Sequence, residues 1–255
     1  MRLMAKLIIS LFFYSLGFST LLFLGSVYVI ATFLISPRYM QWYIRIGCRV
    51  VLMSFGQILL VRGKTPNPKQ GPYLYLPNHE SIFDMFMMGA TVPEFFSIIA
   101  ADYHFRIPLW RWIAKRYGAI PIKRSDLAQA IQSLDNAKQI ISEFKRSLVI
   151  FFEGTRTKTG KLQPFKKGPF HLAKSARIDI VPCGIDGAFE SQNRNSWFLK
   201  PGILIWHWGE VMPYGSDDAL GYGHLTVEEI GEKVWHRVAK LTGEEKESED
   251  TGKEV

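Results

Sequence analysis

An uncharged segment near the N-terminus restricts how this chain can fold. From Leu7 to Pro37 there are 31 residues without a charged side chain, whereas about 20 apolar residues are enough to span a bilayer. The apolar region of a secretory signal is only about 7–15 residues long, so the segment predicts a retained membrane helix. A straight helix of this length would measure about 46 Å. We therefore expect it to tilt, to break near Gly17 or Gly25, or to end before Pro37.

A second apolar segment, residues 41–61, contains Arg45 and Arg49. These arginines argue against a simple span and favour a helix in the membrane interface, with both side chains reaching water. An ordinary core helix is the alternative. Together the two segments predict a membrane-embedded helical hairpin, and residues 1–62 are assigned to a membrane anchor. Basic residues flank the first segment on both sides, so the positive-inside rule leaves its orientation open.

The charge of the chain is unevenly distributed. The net charge is +8, but residues 243–255 carry six acidic and two basic side chains, so the rest of the chain carries +12. The tail has one large apolar residue and is predicted to be disordered. The basic body indicates an anionic partner such as a phosphate group or an acidic membrane surface. Nucleic-acid motifs are absent, and the two cysteines predict neither a disulfide framework nor a metal site.

Residues 63–242 are predicted to form an α/β domain. Short apolar strand patterns alternate there with amphipathic helix patterns, as in α/β proteins. Ser125 is a candidate cap for a long helix that follows it. Thr226 and Glu229 have the spacing of a capping box at the start of the last helix.

Several common catalytic motifs are missing. The sequence has no GxSxG nucleophile elbow, no GxxxxGK[ST] phosphate loop and no GxGxxG. No HxxxH or HExxH pair occurs, so no metal site is predicted. The candidates that remain are polar residues that follow predicted strands.

The segment NHESIFD, residues 78–84, follows the predicted strand YLYLP. A histidine can accept a proton from an alcohol when a carboxylate holds its other ring N–H. Five residues correspond to about 140° around a helix, so His79 and Asp84 can meet only if His79 lies in the turn and Asp84 reaches back from the helix. The residues alone leave open a histidine bonded to backbone and an aspartate that only favours the helix N-terminus.

Two basic clusters also flank predicted strand ends. Six basic and no acidic residues lie between Asp102 and Asp126, and seven basic and no acidic residues lie between Glu153 and Asp179. Ligands of open α/β sheets bind at strand ends, and an arginine fork suits phosphate. Arg124 and Arg156 are therefore the favoured anion ligands. Lys158 and Lys161 are expected to be solvated.

Four motifs occur in an order that resembles the glycerolipid acyltransferase family, the 1-acylglycerol-3-phosphate acyltransferases. They are NHESIFD, GAIPIKR, FEGTRT and IVPCGI. The resemblance implies a mixed sheet flanked by helices, with His79 as the catalytic base and Asp84 as its orienting acid. The implied substrate-binding residues are Asn78, Ser81, Arg124, Glu153, Gly154, Thr155, Arg156 and Lys166. Glu153 is expected to fix an arginine or to bind a glycerol hydroxyl rather than to touch phosphate.

The implied function is acyl transfer at a membrane. An acyl chain would pass from acyl-CoA or acyl carrier protein to a lysophospholipid, most simply 1-acylglycerol 3-phosphate, with no cofactor and with the active site facing the cytoplasm. Phe152, Pro121 and Lys123 depart from the family motifs and leave the head group open. The alternatives are another lysolipid such as a lyso-ornithine lipid, a lipid hydrolase using Ser81 or Ser97, and a basic membrane-anchored binding protein.

Overall fold

A seven-stranded sheet forms the centre of the computed structural model, which describes residues 2–106, 108–123, 126–215 and 220–244. The strands are β1 (Gln57–Arg62), β2 (Tyr73–Pro77), β3 (Phe96–Ala101), β4 (Ile120–Ile122), β5 (Ser147–Val149), β6 (Asp179–Asp186) and β7 (Gly202–Trp208). Their order across the sheet is β1–β7–β6–β2–β5–β3–β4. The strands from β6 to β4 in this order are parallel, whereas β7 is antiparallel to β6 and β1 is parallel to β7. The sheet is mixed, as predicted.

Helices cover both faces of the sheet. They are α1 (Arg2–Ala31), α2 (Gln41–Ser54), α3 (Asp84–Thr91), α4 (Pro108–Tyr117), α5 (Leu127–Phe144), α6 (Gly168–Ala176), α7 (Ala188–Ser191) and α8 (Val227–Thr242). In β2, Tyr73 and Tyr75 pack in the core that includes α2 and α3, whereas Leu74 and Leu76 pack in the core with α5, α6 and α8. This alternation is the period of two of a strand buried on both faces.

The N-terminal segment forms the expected helical hairpin. The rings of Tyr28 in α1 and Tyr43 in α2 stack with centroids 6.2 Å apart, and the Tyr43 hydroxyl donates to the Leu24 carbonyl at 2.8 Å. Helix α1 continues through both of its glycines and ends at Ala31, short of Pro37. Residues Leu3–Ala31 are long and apolar enough to cross a membrane.

The second apolar segment differs from the prediction. The helix ends at Ser54, and the chain continues as β1, which pairs in parallel with β7 along the edge of the sheet. Residues 57–62, which the sequence assigned to the anchor, therefore belong structurally to the sheet. The prediction failed because a short apolar run has no periodicity that separates a strand from a helix.

The helix caps agree with the sequence at α8 and differ at α5. Thr226 and Glu229 form a complete capping box. At α5 the cap is Asp126, whose side chain accepts from the backbone N–H of Gln129 at 3.1 Å, rather than the predicted Ser125, which lies outside the described residues. The predicted tail falls almost wholly on residues 245–255, which are also outside that range.

Candidate active site

His79 and Asp84 are in direct contact beyond the carboxyl end of β2. Pro77 ends the strand, His79 lies in the turn, and Asp84 is the first residue of α3. His79 Nδ1 and Asp84 Oδ2 are 2.7 Å apart. The contact holds the imidazole in the tautomer that carries its proton on Nδ1, which leaves Nε2 as the basic nitrogen.

The His79 ring is fixed on one face and open at its edge. Phe151 stacks on it with ring centroids 4.0 Å apart and an interplanar angle of 17°. The His79 side chain is 21% exposed, whereas that of Asp84 is fully buried. Within the described residues, Nε2 has no hydrogen-bond partner, so this nitrogen can meet a substrate hydroxyl.

Carboxylates hold the backbone of the turn at residues 78–81, which we call the catalytic turn because it carries the candidate base His79. The N–H of His79 donates to Glu153 Oε1 at 2.9 Å, and the N–H groups of Glu80 and Ser81 donate to Asp84 Oδ2 at 2.7 and 2.9 Å. The second oxygen of Glu153 accepts from the backbone and side-chain nitrogens of Gln163. Three consecutive N–H groups are thus satisfied by two buried carboxyl groups. This arrangement fixes the backbone from which the histidine projects.

Glu153 therefore differs from both roles that the sequence suggested. Its carboxyl group bonds to the His79 and Gln163 nitrogens rather than to an arginine, and it is 3% exposed. Burial raises its pKa to about 7, although hydrogen bonds from His79 and Gln163 oppose the change. Its position supports the turn and leaves it little access to a glycerol hydroxyl.

Glu80 is a buried acid that the sequence analysis did not single out. Its Oε2 accepts from the backbone N–H groups of Ala188 and Phe189, both at 3.0 Å, and so joins the catalytic turn to the start of α7. Burial and the nearby charge of Asp84 raise its pKa to about 9. The folded protein therefore keeps this proton at pH values where the unfolded chain has lost it.

We expect Glu80 to make stability fall as pH rises. Between about pH 4.5 and 9 the folded state binds more protons at Glu80 than the unfolded state does, so raising the pH favours unfolding. Glu80→Gln removes this titration. The melting temperature of the wild type relative to Glu80→Gln should therefore drop by several degrees between pH 5 and pH 8.5, as measured by differential scanning fluorimetry in detergent. About 1 kcal/mol corresponds to roughly 2–4 °C for a chain of this size.

Glu190→Gln is the matched control, since Glu190 is an exposed acid on the same short helix. The difference in melting temperature between this variant and the wild type should vary with pH far less than that of Glu80→Gln, because Glu80 is buried and Glu190 is exposed. A Glu80→Gln difference that stays constant from pH 5 to pH 8.5 would show that Glu80 titrates alike in the folded and unfolded states.

Asn78 and Ser81 are bonded within the fold instead of facing a substrate. Asn78 exchanges two hydrogen bonds with the backbone of Ile185, at 2.9 and 2.6 Å, which joins the end of β2 to β6. The Ser81 hydroxyl donates to the Gln192 carbonyl at 2.6 Å, and the residue is fully buried. Both were expected to bind substrate, but their polar atoms are already used and they can act only by positioning the turn.

The loop after β5 packs against the catalytic turn. Gly154 has φ +77°, which favours glycine, and lets the chain reverse after Glu153. The N–H of Thr157 donates to the His79 carbonyl at 2.8 Å. Arg156 precedes this contact and is half-buried, whereas Thr155 and Lys166 are exposed. This loop brings basic side chains to the edge where His79 lies; Arg124 is outside the described residues.

Arg194 is a further basic residue at this loop that sequence reasoning missed. Its Nη1 donates to the Arg156 carbonyl at 3.4 Å. It belongs to a polar loop that matches none of the four motifs, and its sequence separation from Arg156 hides the contact.

Glu80 could have been noticed in the sequence, because it lies in the same motif as His79 and Asp84. Two acidic side chains in one motif need hydrogen-bond donors if they are buried.

The comparisons with known proteins agree with the motifs. A family model described as Acyltransferase matches residues 58–186. A 1-acyl-sn-glycerol-3-phosphate acyltransferase of Saccharomyces cerevisiae is 33% identical over 63% of this chain and 54% of its own length. One from Cocos nucifera is 30% identical over 61% of this chain and 50% of its own length. The chain thus spans about half the length of the curated relatives it matches.

A solved structure shares the fold. The crystal structure of a 1-acyl-sn-glycerophosphate acyltransferase, PlsC, from Thermotoga maritima aligns with a TM-score of 0.74. The alignment covers 96% of this chain and 98% of the other, at 20% sequence identity. Since the family model covers half of the sequence, including the catalytic turn, the loop after β5 and all of β6, the chain belongs to the Acyltransferase family.

Proposed function

We propose that this protein transfers an acyl chain from an acyl thioester to the free hydroxyl of a lysophospholipid, with 1-acylglycerol 3-phosphate as the favoured acceptor. The observation that carries the proposal is the 2.7 Å contact of His79 with the buried Asp84, with Nε2 left open. The names of the relatives support the acceptor. The basic residues beside His79 support a phosphate-bearing head group.

His79 acts as a general base. Its Nε2 takes the proton of the acceptor hydroxyl, and the oxygen attacks the thioester carbonyl. The C–S bond breaks as the tetrahedral intermediate collapses, and the imidazolium returns the proton to the leaving thiolate. Between these two proton transfers Asp84 stabilises the imidazolium, because it places a buried negative charge against Nδ1. No acyl-enzyme is formed, and the protein needs no cofactor besides the acyl-CoA or acyl carrier protein that brings the acyl group.

Ser81 and Ser97, the two candidate nucleophiles, do not favour a hydrolase. The Ser81 hydroxyl donates to the Gln192 carbonyl, and Ser97 accepts from Arg146 at 3.2 Å. Both residues are fully buried, so neither can attack an ester in the present fold. His79 is better placed to activate a hydroxyl that belongs to a substrate, because its Nε2 is open.

Membrane attachment fits the same function. Large apolar side chains along α1 are exposed, including Leu22 (73%) and Phe23 (68%), and on α2 Trp42 (64%) and Met53 (67%) are exposed as well. Apolar side chains exposed in this number fit a bilayer better than water. A lysophospholipid acceptor would reach His79 from that bilayer, with the active site on the cytoplasmic side.

A lysolipid panel tests the proposal. The purified protein is incubated with radiolabelled acyl-CoA or acyl carrier protein and with lysolipids of different head groups, and the products are separated by thin-layer chromatography. We expect labelled phosphatidic acid from 1-acylglycerol 3-phosphate. If only a lyso-ornithine lipid is labelled, that lipid is the acceptor instead of 1-acylglycerol 3-phosphate. The absence of any diacyl product would overturn the function.

Arg156→Ala should raise the KM for 1-acylglycerol 3-phosphate by about tenfold, the loss expected for a hydrogen bond to a charged group. The phosphate is bound alike in the ground and transition states, so kcat should change little. Lys158→Ala is the control, because Lys158 is exposed in the same loop. Initial rates at varied acceptor concentration measure both constants. A KM unchanged for every acceptor contradicts a binding role for Arg156.

A further inference from the structure

Residues 192–199 contact both loops of the candidate site, the catalytic turn and the loop after β5. At its start, the Gln192 carbonyl accepts from Ser81 in the catalytic turn. Arg194 and Asn195 then reach the loop after β5, where Asn195 Nδ2 donates to the Lys158 carbonyl at 2.9 Å. The segment is anchored at its far end, since the Leu199 N–H donates to Ser10 in α1 at 3.0 Å. The segment that carries Arg194 is thus held beside the site by its two ends, at Gln192 and Leu199.

Arg156 and Arg194 have no carboxylate partner within 4 Å among the residues the structure describes. The ion pairs found there involve His79 with Asp84 and two surface lysines, Lys123 and Lys167. The acid nearest in sequence to Arg156, Glu153, is already bonded to backbone nitrogens. Arg194 bonds to the backbone of Arg156, so two arginines without a carboxylate partner lie at the same loop, which favours an anion beside it.

The position of Arg194 matches the chemistry of the acceptor. Its Nη1 bonds to the Arg156 carbonyl, and the next residue, Thr157, bonds to the His79 carbonyl. The C=O of Arg156 and the N–H of Thr157 belong to the same peptide unit, so one peptide group links Arg194 to the backbone of His79. In a 1-acylglycerol 3-phosphate the free hydroxyl and the phosphate occupy neighbouring carbons. A group that binds the phosphate must therefore lie close to His79, and Arg194 contacts the loop that packs on the His79 turn.

We propose that Arg194 binds the phosphomonoester head of the acceptor together with Arg156. A guanidinium offers five N–H donors, and the weak contact with the Arg156 carbonyl uses one of them. The remaining donors suit the oxygens of a dianionic phosphate. A zwitterionic phosphodiester has less negative charge to offer, so Arg194 selects the phosphomonoester. This assignment rests on the proposed function and specifies its acceptor.

Arg194→Ala should raise the KM for a short-chain 1-acylglycerol 3-phosphate by about tenfold and leave kcat within about twofold. The KM for the matching 1-acylglycero-3-phosphocholine should stay the same. Arg194→Lys should fall between the wild type and the alanine variant, because it keeps the charge and loses the planar fork. Equal increases in KM for both acceptors would overturn the selection of the phosphomonoester.

Asn195→Ala is the matched control for loop support. It removes the neighbouring contact between the same two loops without changing the charge. Its KM for the phosphomonoester should equal that of the wild type. If Asn195→Ala raises this KM as much as Arg194→Ala does, Arg194 acts by holding the loop and the proposal fails.

A binding measurement separates this proposal from the proposed function. Short-chain 1-acylglycerol 3-phosphate, without an acyl donor, is titrated by calorimetry below its micelle concentration. The two proteins compared are His79→Ala and the double variant His79→Ala/Arg194→Ala. We expect binding to weaken about tenfold when Arg194 is removed. Arg194-dependent binding, combined with no acyl transfer by the wild-type protein, would support this site and overturn the function. If the wild-type protein transfers acyl groups but removing Arg194 changes neither lysolipid binding nor KM, this site alone is overturned.

Discussion

Replacing His79 with alanine should lower acyl transfer by at least about 10²-fold, within the range that a general base contributes. The side chain is partly exposed and projects from a turn whose backbone is held by Glu153 and Asp84. Its removal should therefore leave the fold intact. Initial rates with acyl-CoA and 1-acylglycerol 3-phosphate measure the loss, and a cooperative melting curve close to that of the wild type shows that the protein remains folded.

His171→Ala is the matched control, since His171 is an exposed histidine on α6. It should transfer acyl groups at the wild-type rate. Full activity in His79→Ala would refute the assignment of His79 as the base. The base would then be another group near the loop after β5.

Replacing Asp84 with asparagine should lower kcat by about 10²–10⁴-fold. Asp84 Oδ2 accepts from His79, Glu80 and Ser81, so the amide oxygen of asparagine can take the same place and preserve the turn. The amide carries no charge, however, and cannot stabilise the imidazolium that forms when His79 takes the proton. The KM values of both substrates should change little, because neither substrate contacts the buried side chain.

The double variant His79→Ala/Asp84→Asn distinguishes an effect through the histidine from an independent one. If Asp84 acts only by orienting and stabilising His79, the double variant should be no less active than His79→Ala alone. An additional loss of more than about tenfold would mean that Asp84 contributes to transfer by a second route. Parallel melting curves exclude unfolding as the cause.

Much of the fold was predictable because its signals are local. The strand Tyr73–Pro77 ends at a proline, and the last helix starts with the complete box of Thr226 and Glu229. Strand β1 was missed because it continues an apolar run and acquires its identity only by pairing with β7, far along the chain. The cap of α5 moved from Ser125 to Asp126 because two adjacent residues can both serve as caps.

The candidate site was predictable only where its residues are close in sequence. The spacing of His79 and Asp84 requires a histidine in a turn before a helix, and the structure has that turn. Glu80 and Asn78 bond to residues more than 100 positions away, at the start of α7 and in β6 respectively. Without the sheet order β6–β2–β5, nothing indicates that these segments meet. Asn78 and Ser81 were therefore assigned to the substrate although they bond to the fold.

The three backbone N–H groups of the catalytic turn cannot form an oxyanion hole. When the acceptor oxygen adds to the thioester, negative charge develops on the former carbonyl oxygen, and donors aimed at that oxygen lower the barrier. The N–H groups of His79, Glu80 and Ser81 already donate to Glu153 and Asp84. In the proposed mechanism the turn supplies the base, and the donors that stabilise the oxyanion must come from groups outside it.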